Sequence, residues 1–325
     1  MSAARPSAGA ARTDPRLAAV FPGQGSQSVG MARDFYDASD AARALLDEAE
    51  RTLPGLLELM WEGPSEDLQL TANQQPALVA AGAAAFAAYR EAGGPLPAYA
   101  AGHSLGEYTA HVAAGSLGLA DALRLVRARG TYMQEAVPEG EGAMAAVMKL
   151  DPAAIRNACE QVAADGARGP VEVANLNAPG QTVISGSAAA VAAASERLKA
   201  DGGRVVPLKV SAPFHCSLMQ PAADRLARDL TGVRFTEPAF GIVCNVTADV
   251  LQSGTEAPEL LRRQVTSPVR WVESVQSLRA HGAQRFLEFG AGKVLTGLIA
   301  RIAPEAEARS VADMAGVRGA LEGAA

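Results

Sequence analysis

The chain has 325 residues, 49% hydrophobic and 20% charged, with a formal net charge of −6. That length supports one large or two modest domains with a sizeable core, and interleaved charges of slightly acidic balance exclude a general nucleic-acid binder. No run of about 18 apolar residues is present, so no membrane span is expected.

The first sixteen residues, MSAARPSAGAARTDPR, carry no apolar signal core and read as a disordered tail. Leu17–Phe21 (LAAVF) is a short apolar run stopped by PGQG, a buried strand followed by a turn. Helical patterns cover Asp40–Leu53 and Gln74–Ala92, and Leu96–Gly102 forms a second strand that runs directly into GHSLG. Leu119–Val137 is an amphipathic helix. Strands separated by helices predict an α/β fold with a parallel sheet covered on both faces.

From Glu141 to Val210 the pattern changes. Strand Ala143–Leu150, a helix from Asp151–Pro152 to Ala164, and strands Val171–Leu176 and Gln181–Ser185 joined by NAPG come first. Helix Ser187–Asp201 and strand Arg204–Val210 follow. The order βαββαβ predicts an inserted ferredoxin-like subdomain over residues 141–210. The large domain then comprises residues 17–140 and 211–325. Its second part contains helix Ser217–Leu230, strand Phe240–Asn245, helices Glu256–Gln264 and Val269–His281, strand Arg285–Phe289 and helix Lys293–Ala303.

Two glycine-rich turns invite nucleotide readings and fail them. In FPGQGSQSVG, Ser28 stands where GxGxxG requires glycine, and in EFGAGKVLTG, Val294 stands where a phosphate loop requires serine or threonine. What the first leaves is close-approach backbone at the end of a strand, where open α/β sheets bind ligands. The three cysteines, Cys159, Cys216 and Cys244, are widely spaced and form no CxxC pair, so neither a disulfide framework nor a zinc site is expected, and a reducing compartment fits.

Ser104 lies in AGHSLGEYTA and admits two readings. With Glu107 three residues on, it matches a capping box. That leaves Gly102 and Gly106 unexplained, because glycine in a first helical turn costs up to about 1 kcal/mol relative to alanine. Gly-x-Ser-x-Gly between a strand and a helix is also a nucleophile elbow, which needs small neighbours around a strained serine. A serine nucleophile needs a base within hydrogen-bond reach. Of the four histidines, His103 follows the strand alternation to the opposite face, and His111 lies roughly 10 Å along the same helix. His281 reads as a helix cap. His215, in the loop SAPFHCSLM, remains as the candidate base.

FPGQGSQ, QQPAL, GHSLGEYTA, RARGTYMQEAVPEGEGAMAAV, ANLNAPGQTVISG, SAPFHCSLMQPAAD and EFGAGKVLTGL occur in this order from about Leu17 to Ile302. Together they resemble the malonyl-CoA:acyl-carrier-protein transacylases of type II fatty acid synthesis. The resemblance implies an α/β-hydrolase-like large domain carrying the small one, with Ser104 bearing the acyl group and His215 as its base. It implies an oxyanion hole from the backbone N–H groups of Gln24 and Leu105, and a histidine oriented by the main-chain carbonyl of Gln264. Arg129 corresponds to the arginine that holds the substrate's free carboxylate through two parallel hydrogen bonds. Read alone, it is one of several solvated arginines, with Arg124 and Arg127, on one helix. Gln75, Asn175 and Asn177 match polar pocket positions, and the bulk of Phe214 favours malonyl over branched acyl groups.

The implied chemistry calls for malonyl-CoA and acyl carrier protein as partners, with no metal and no other cofactor, in a cytoplasmic monomer. Arg262, Arg263 and Arg270 are candidates for docking an acidic carrier protein. A discrete acyltransferase of a polyketide synthase and a serine acyl hydrolase or thioesterase share the elbow and stand as alternatives.

Overall fold

Among the described residues, nine strands segregate into two sheets, one parallel and one antiparallel. The structure is a computed structural model that describes residues 12–322, apart from 165 and 211. The strands are β1 (Thr13–Phe21), β2 (Leu96–Gly102), β3 (Gly142–Met148), β4 (Val171–Ala178), β5 (Gln181–Ser187), β6 (Arg204–Pro207), β7 (Gly241–Val243), β8 (Arg285–Phe289) and β9 (Glu307–Val311). Before the small sheet come helices α1 (Arg33–Ala38), α2 (Asp40–Thr52), α3 (Leu56–Glu62), α4 (Ser65–Gln69), α5 (Thr71–Glu91), α6 (Gly106–Ala113) and α7 (Leu119–Glu135). Helices α8 (Pro152–Ala163) and α9 (Ala188–Ala200) lie within its span. After it come α10 (Gln220–Thr231), α11 (Ala257–Gln264), α12 (Trp271–Ala280), α13 (Val294–Ile302) and α14 (Met314–Glu322).

The large sheet has the order β7-β2-β1-β8-β9 and every pairing in it is parallel. Its central strand shows why the apolar run LAAVF is continuous instead of alternating. Leu17, Ala19 and Phe21 pack on one face into a core shared with α2, α5 and α7, while Ala18 and Val20 pack on the other against Trp271, Val275, Leu295 and Ile299. Both faces are covered, so both residue sets must be apolar. Each such large side chain contributes about 1.5–3 kcal/mol through removal from water. Among the described residues no helix is long and apolar enough to cross a membrane.

The small sheet runs β4-β5-β3-β6, antiparallel throughout, and the chain order β3-α8-β4-β5-α9-β6 is the expected βαββαβ. It has its own core of Val147, Ile155, Ile184 and Leu198. A bridge from Asn175 to Val269, with Val269 N–H donating to Ala174 at 2.9 Å, ties β4 to the segment before α12.

Several boundaries differ from the sequence expectation. β1 begins at Thr13, so residues 13–16 of the expected tail belong to a strand, with Thr13 and Asp14 paired with β2 and Asp14 in an ion pair with Arg285 at 3.1 Å. The preceding residues 1–11 lie outside the described residues. β6 ends at Pro207, short of the expected Val210, with the Leu208 N–H making a last bond to the Met144 carbonyl at 2.9 Å. Val269 and Arg270 precede α12 because Val269 is engaged in the bridge. The short helices α1, α3 and α4, with β9 and α14, complete what the sequence reading left blank.

Candidate active site

β2 ends at Gly102 and α6 starts at Gly106, leaving three residues for the reversal. Ser104 occupies the left-handed region at φ 52°, a strained conformation for a residue with a side chain. Its two glycine neighbours are obligatory. A Cβ at Gly102 would stand 1.8 Å from the Gly106 carbonyl carbon, and one at Gly106 would stand 2.1 Å from the Phe21 carbonyl oxygen. The bend therefore closes only without side chains at both positions, the signature of an elbow.

The capping-box reading does not hold. Leu105 is the cap position of α6, with no side-chain cap, and Glu107 turns inward, 1% exposed. Glu107 Oε2 accepts from the backbone N–H of Asn245 at 2.9 Å and from Gln264 Nε2 at 2.8 Å. Burial pushes its carboxyl up to about 7, against the opposing effect of these donors and of Arg129. Asn245 in turn accepts from Ser104 N–H at 2.7 Å and donates to the Gly102 carbonyl at 2.6 Å, clasping both sides of the bend.

His215 also lies at positive φ, 60°, and brings its Nε2 to 2.8 Å from Ser104 Oγ. On the other side of the ring, Nδ1 is 2.9 Å from the Gln264 carbonyl and 3.1 Å from that of Ser267. Both are acceptors, so the proton resides on Nδ1 and the Nε2 lone pair faces the hydroxyl. Burial, followed by the Arg129 charge, holds the imidazole far below its ordinary value, at about 3. It is neutral and able to accept a proton at neutral pH.

Arg129 extends from α7 and is fully buried. Its guanidinium donates to Gln75 Oε1 at 2.8 Å, to Ser104 Oγ at 2.9 Å and to Gln264 Oε1 at 3.1 Å. Arg127, two residues earlier, binds Asn73 Oδ1, and Arg124 forms an ion pair with Asp121 near the surface. Arg129 alone of the three reaches the serine.

A cleft of about 500 Å³ opens in front of the serine. Gln24, Ser104, Asn175, Asn177, Phe214 and His215 line it, drawn from the ends of β1 and β2, from β4 and from the His215 loop. Gln75, Arg129 and Gln264 form a polar layer behind Ser104. Leu105 buries its side chain in the core while its N–H remains at the mouth of α6. Among the described residues neither the Gln24 nor the Leu105 backbone N–H has a hydrogen-bond partner.

His103 corrects the expectation of an opposite face: it lines the same cleft and its Nε2 is 2.8 Å from Asn177 Oδ1. Strand alternation ends where the elbow turns. His111 is buried against Ser116 and Phe235, with burial lowering it to about 4, and His281 caps α12. Of the docking arginines, Arg262 pairs with Glu259 at 2.6 Å and Arg270 with Glu273, while Arg263 lines a separate cleft. They do not form an uncompensated basic patch. Sequence reasoning missed Asn245, Gln74, which binds the Gln24 side chain at 2.6 Å, and the Ser267 carbonyl. Their partners lie far away along the chain, and no local spacing marks them.

This pairing of fold and site is matched by a known class. A sequence family described as the acyl transferase domain matches residues 19–319, and the chain belongs to that family. Within it, the similarity is to enzymes named malonyl CoA-acyl carrier protein transacylase. The Bacillus subtilis (strain 168) enzyme of that name is 45% identical over 300 residues, 92% of this chain and 94% of the relative. The structure of an acyl-carrier-protein S-malonyltransferase from Burkholderia pseudomallei 1710b superimposes with a TM-score of 0.91 at 45% identity, covering 94% of this chain and 99% of that one. A malonyl-transacylase solved in complex with a type II polyketide synthase acyl carrier protein matches with a TM-score of 0.91 at 45% identity, covering 95% and 99%.

Proposed function

We propose that this chain is a malonyl-CoA:acyl-carrier-protein S-malonyltransferase acting through a malonyl-serine intermediate. The observation that carries the reading is one hydroxyl, Ser104 Oγ, lying 2.8 Å from a neutral imidazole and 2.9 Å from a buried guanidinium. His215 Nε2 takes the Ser104 proton as Oγ attacks the thioester carbonyl of malonyl-CoA. The Gln24 and Leu105 N–H groups receive the developing oxyanion, each donor worth about 3–4 kcal/mol in comparable sites. As the tetrahedral intermediate collapses, the carbon–sulfur bond breaks and His215 returns the proton to the coenzyme A thiolate. The phosphopantetheine thiol of an acyl carrier protein then repeats the sequence against the serine ester, with His215 again as base, and leaves as the malonyl thioester.

Arg129 selects the acyl group. Its present direct acceptors are neutral, and the free carboxylate of a malonyl group replaces the Ser104 hydroxyl as its partner, supplying a charged acceptor. An esterase or thioesterase has no use for a cation there. The reaction as written needs no metal and no redox cofactor.

The α/β-hydrolase-like description suits the large domain, residues 17–140 and 211–325, and the sheet order of the β3–β6 insert, residues 141–210, suits a ferredoxin-like subdomain. We take the molecule as a monomer and its setting as the cytoplasm. Phe214 at the cleft wall favours an unbranched α-carbon. The test is steady-state transfer from malonyl-CoA to holo acyl carrier protein with both substrates varied. Parallel double-reciprocal lines support the reading, and intersecting lines, or malonate release that does not depend on carrier, contradict it.

A further inference from the structure

A buried carboxyl beside the elbow takes no part in the chemistry above. Glu107 is 1% exposed, and Oε2 of its carboxylate accepts two hydrogen bonds that arrive from different parts of the chain. The Gln264 amide fixes one side of the site. Its Nε2 donates to Glu107 and to the Ser104 carbonyl at 3.0 Å, both acceptors, so its Oε1 is forced to face the Arg129 guanidinium. The main-chain carbonyl of the same residue holds His215 Nδ1. Asn245 fixes the other side. Glu107 holds its backbone N–H, and its side chain clasps Gly102 and Ser104.

A glutamine side chain has two ends of opposite hydrogen-bonding sense, and nothing in its shape decides which end faces the cation. Rotated by half a turn, Gln264 would present its NH₂ to Arg129, two donors would meet, and the guanidinium would lose an anchor. The Glu107 carboxylate opposes that rotation, because the rotated amide would bring its oxygen against an acceptor. Leaving a buried donor or acceptor unmade costs more than a made bond contributes, which makes the choice sharp.

We propose that Glu107 is a positioning residue that sets the amide sense of Gln264 and, through it, the carboxylate-binding geometry of Arg129, while its bond to Asn245 supports the elbow. The inference rests on the malonyl-transfer reading and deepens it. Glu107 touches no reacting atom. Its influence on selectivity runs through the Gln264 arm and its influence on the nucleophile through the Asn245 arm, so the two can be separated.

The experiment compares kcat/KM for malonyl-CoA and acetyl-CoA in the full chain, for wild type, Glu107→Gln, Glu107→Asp and Asn245→Ala, with thermal unfolding recorded for each. Acetyl lacks the free carboxylate, so the ratio of the two substrates reads Arg129, and loss shared by both reads the elbow. Glu107→Gln keeps an acceptor oxygen in place and retains both rate and ratio. Glu107→Asp keeps the carboxyl group but withdraws it by one methylene, and the malonyl-to-acetyl ratio falls about 10-fold or more, within the about 10²-fold that a 1 Å misplacement costs. Asn245→Ala lowers both substrates together and leaves the ratio at the wild-type value. A Glu107→Asp ratio equal to wild type in a folded protein overturns the inference, as does a Glu107→Gln variant that loses the ratio, since charge and not position would then be what matters. If wild type itself transfers no malonyl group, the underlying function fails instead, and the two failures are distinct.

Discussion

Replacing Arg129 with methionine tests the selectivity argument in both energy and stability. The guanidinium is fully buried, and its acceptors are two amide oxygens and a hydroxyl. A malonyl carboxylate adds the charged partner, and each hydrogen bond between charged groups is worth about 1.5–3 kcal/mol. Two such bonds give about 3–6 kcal/mol, or a preference for malonyl over acetyl of about 10²–10⁴-fold at about 1.36 kcal/mol per decade. Arg129→Met removes that preference by lowering kcat/KM for malonyl-CoA, with little change for acetyl-CoA. Stability should not follow activity. A buried cation whose direct acceptors are all neutral carries a desolvation cost of several kcal/mol, and its removal offsets the loss of donors to Gln75 and Gln264. We therefore expect the Tm of Arg129→Met to fall by no more than about 4 °C. Competition between the two thioesters in a single transfer reaction, with calorimetry alongside, measures both quantities. A variant that keeps its malonyl preference would refute the assignment, whatever its Tm.

The remaining expectations concern the base and the bend. His215 must be neutral to accept the serine proton, and burial followed by the Arg129 charge lowers its value to about 3. The kcat/KM profile for malonyl-CoA therefore stays level from about pH 8 to about pH 5. An inflection near the ordinary histidine value of 6.5 would contradict the burial argument. In the acylated or substrate-bound site the malonyl carboxylate offsets Arg129, so any acid limb in kcat lies at higher pH than that in kcat/KM. Gly102→Ala places a Cβ 1.8 Å from backbone, and Gly106→Ala places one 2.1 Å from backbone. Each destabilises by about 3 kcal/mol or more, readable by denaturant unfolding, and a near-neutral result would mean the elbow is looser than described.

How much of this was legible in sequence depends on whether the information is local. The elbow glycines, the strand before them and the helix after them are neighbours, and steric exclusion at Gly102 and Gly106 is what their spacing encodes. The βαββαβ order was visible because each element carries its own periodicity. Glu107 was misread because Ser-x-x-Glu is shared by a helix cap and by a buried carboxylate, and only Asn245, 138 residues away, and Gln264, 157 residues away, tell them apart. β9 has a polar, part-exposed edge with Glu307 and Arg309 paired at 2.6 Å, so it shows no apolar run. Residues 208–210 continue the strand-like sequence of β6 yet line the cleft, and nothing local separates the two roles. The loop EFGAGKVLTG resembled a phosphate cradle for a physical reason: Glu288 accepts from the Leu295 and Thr296 N–H groups at the start of α13, so an internal carboxylate holds the place an anion would take.

The most direct test of the central claim is intact-protein mass spectrometry after brief mixing with malonyl-CoA, then with holo acyl carrier protein. A single malonyl adduct that maps to Ser104, is absent in Ser104→Ala and moves to the carrier thiol faster than it is lost to water is the predicted result. An adduct on another residue, or one that only hydrolyses in the presence of carrier, would contradict it.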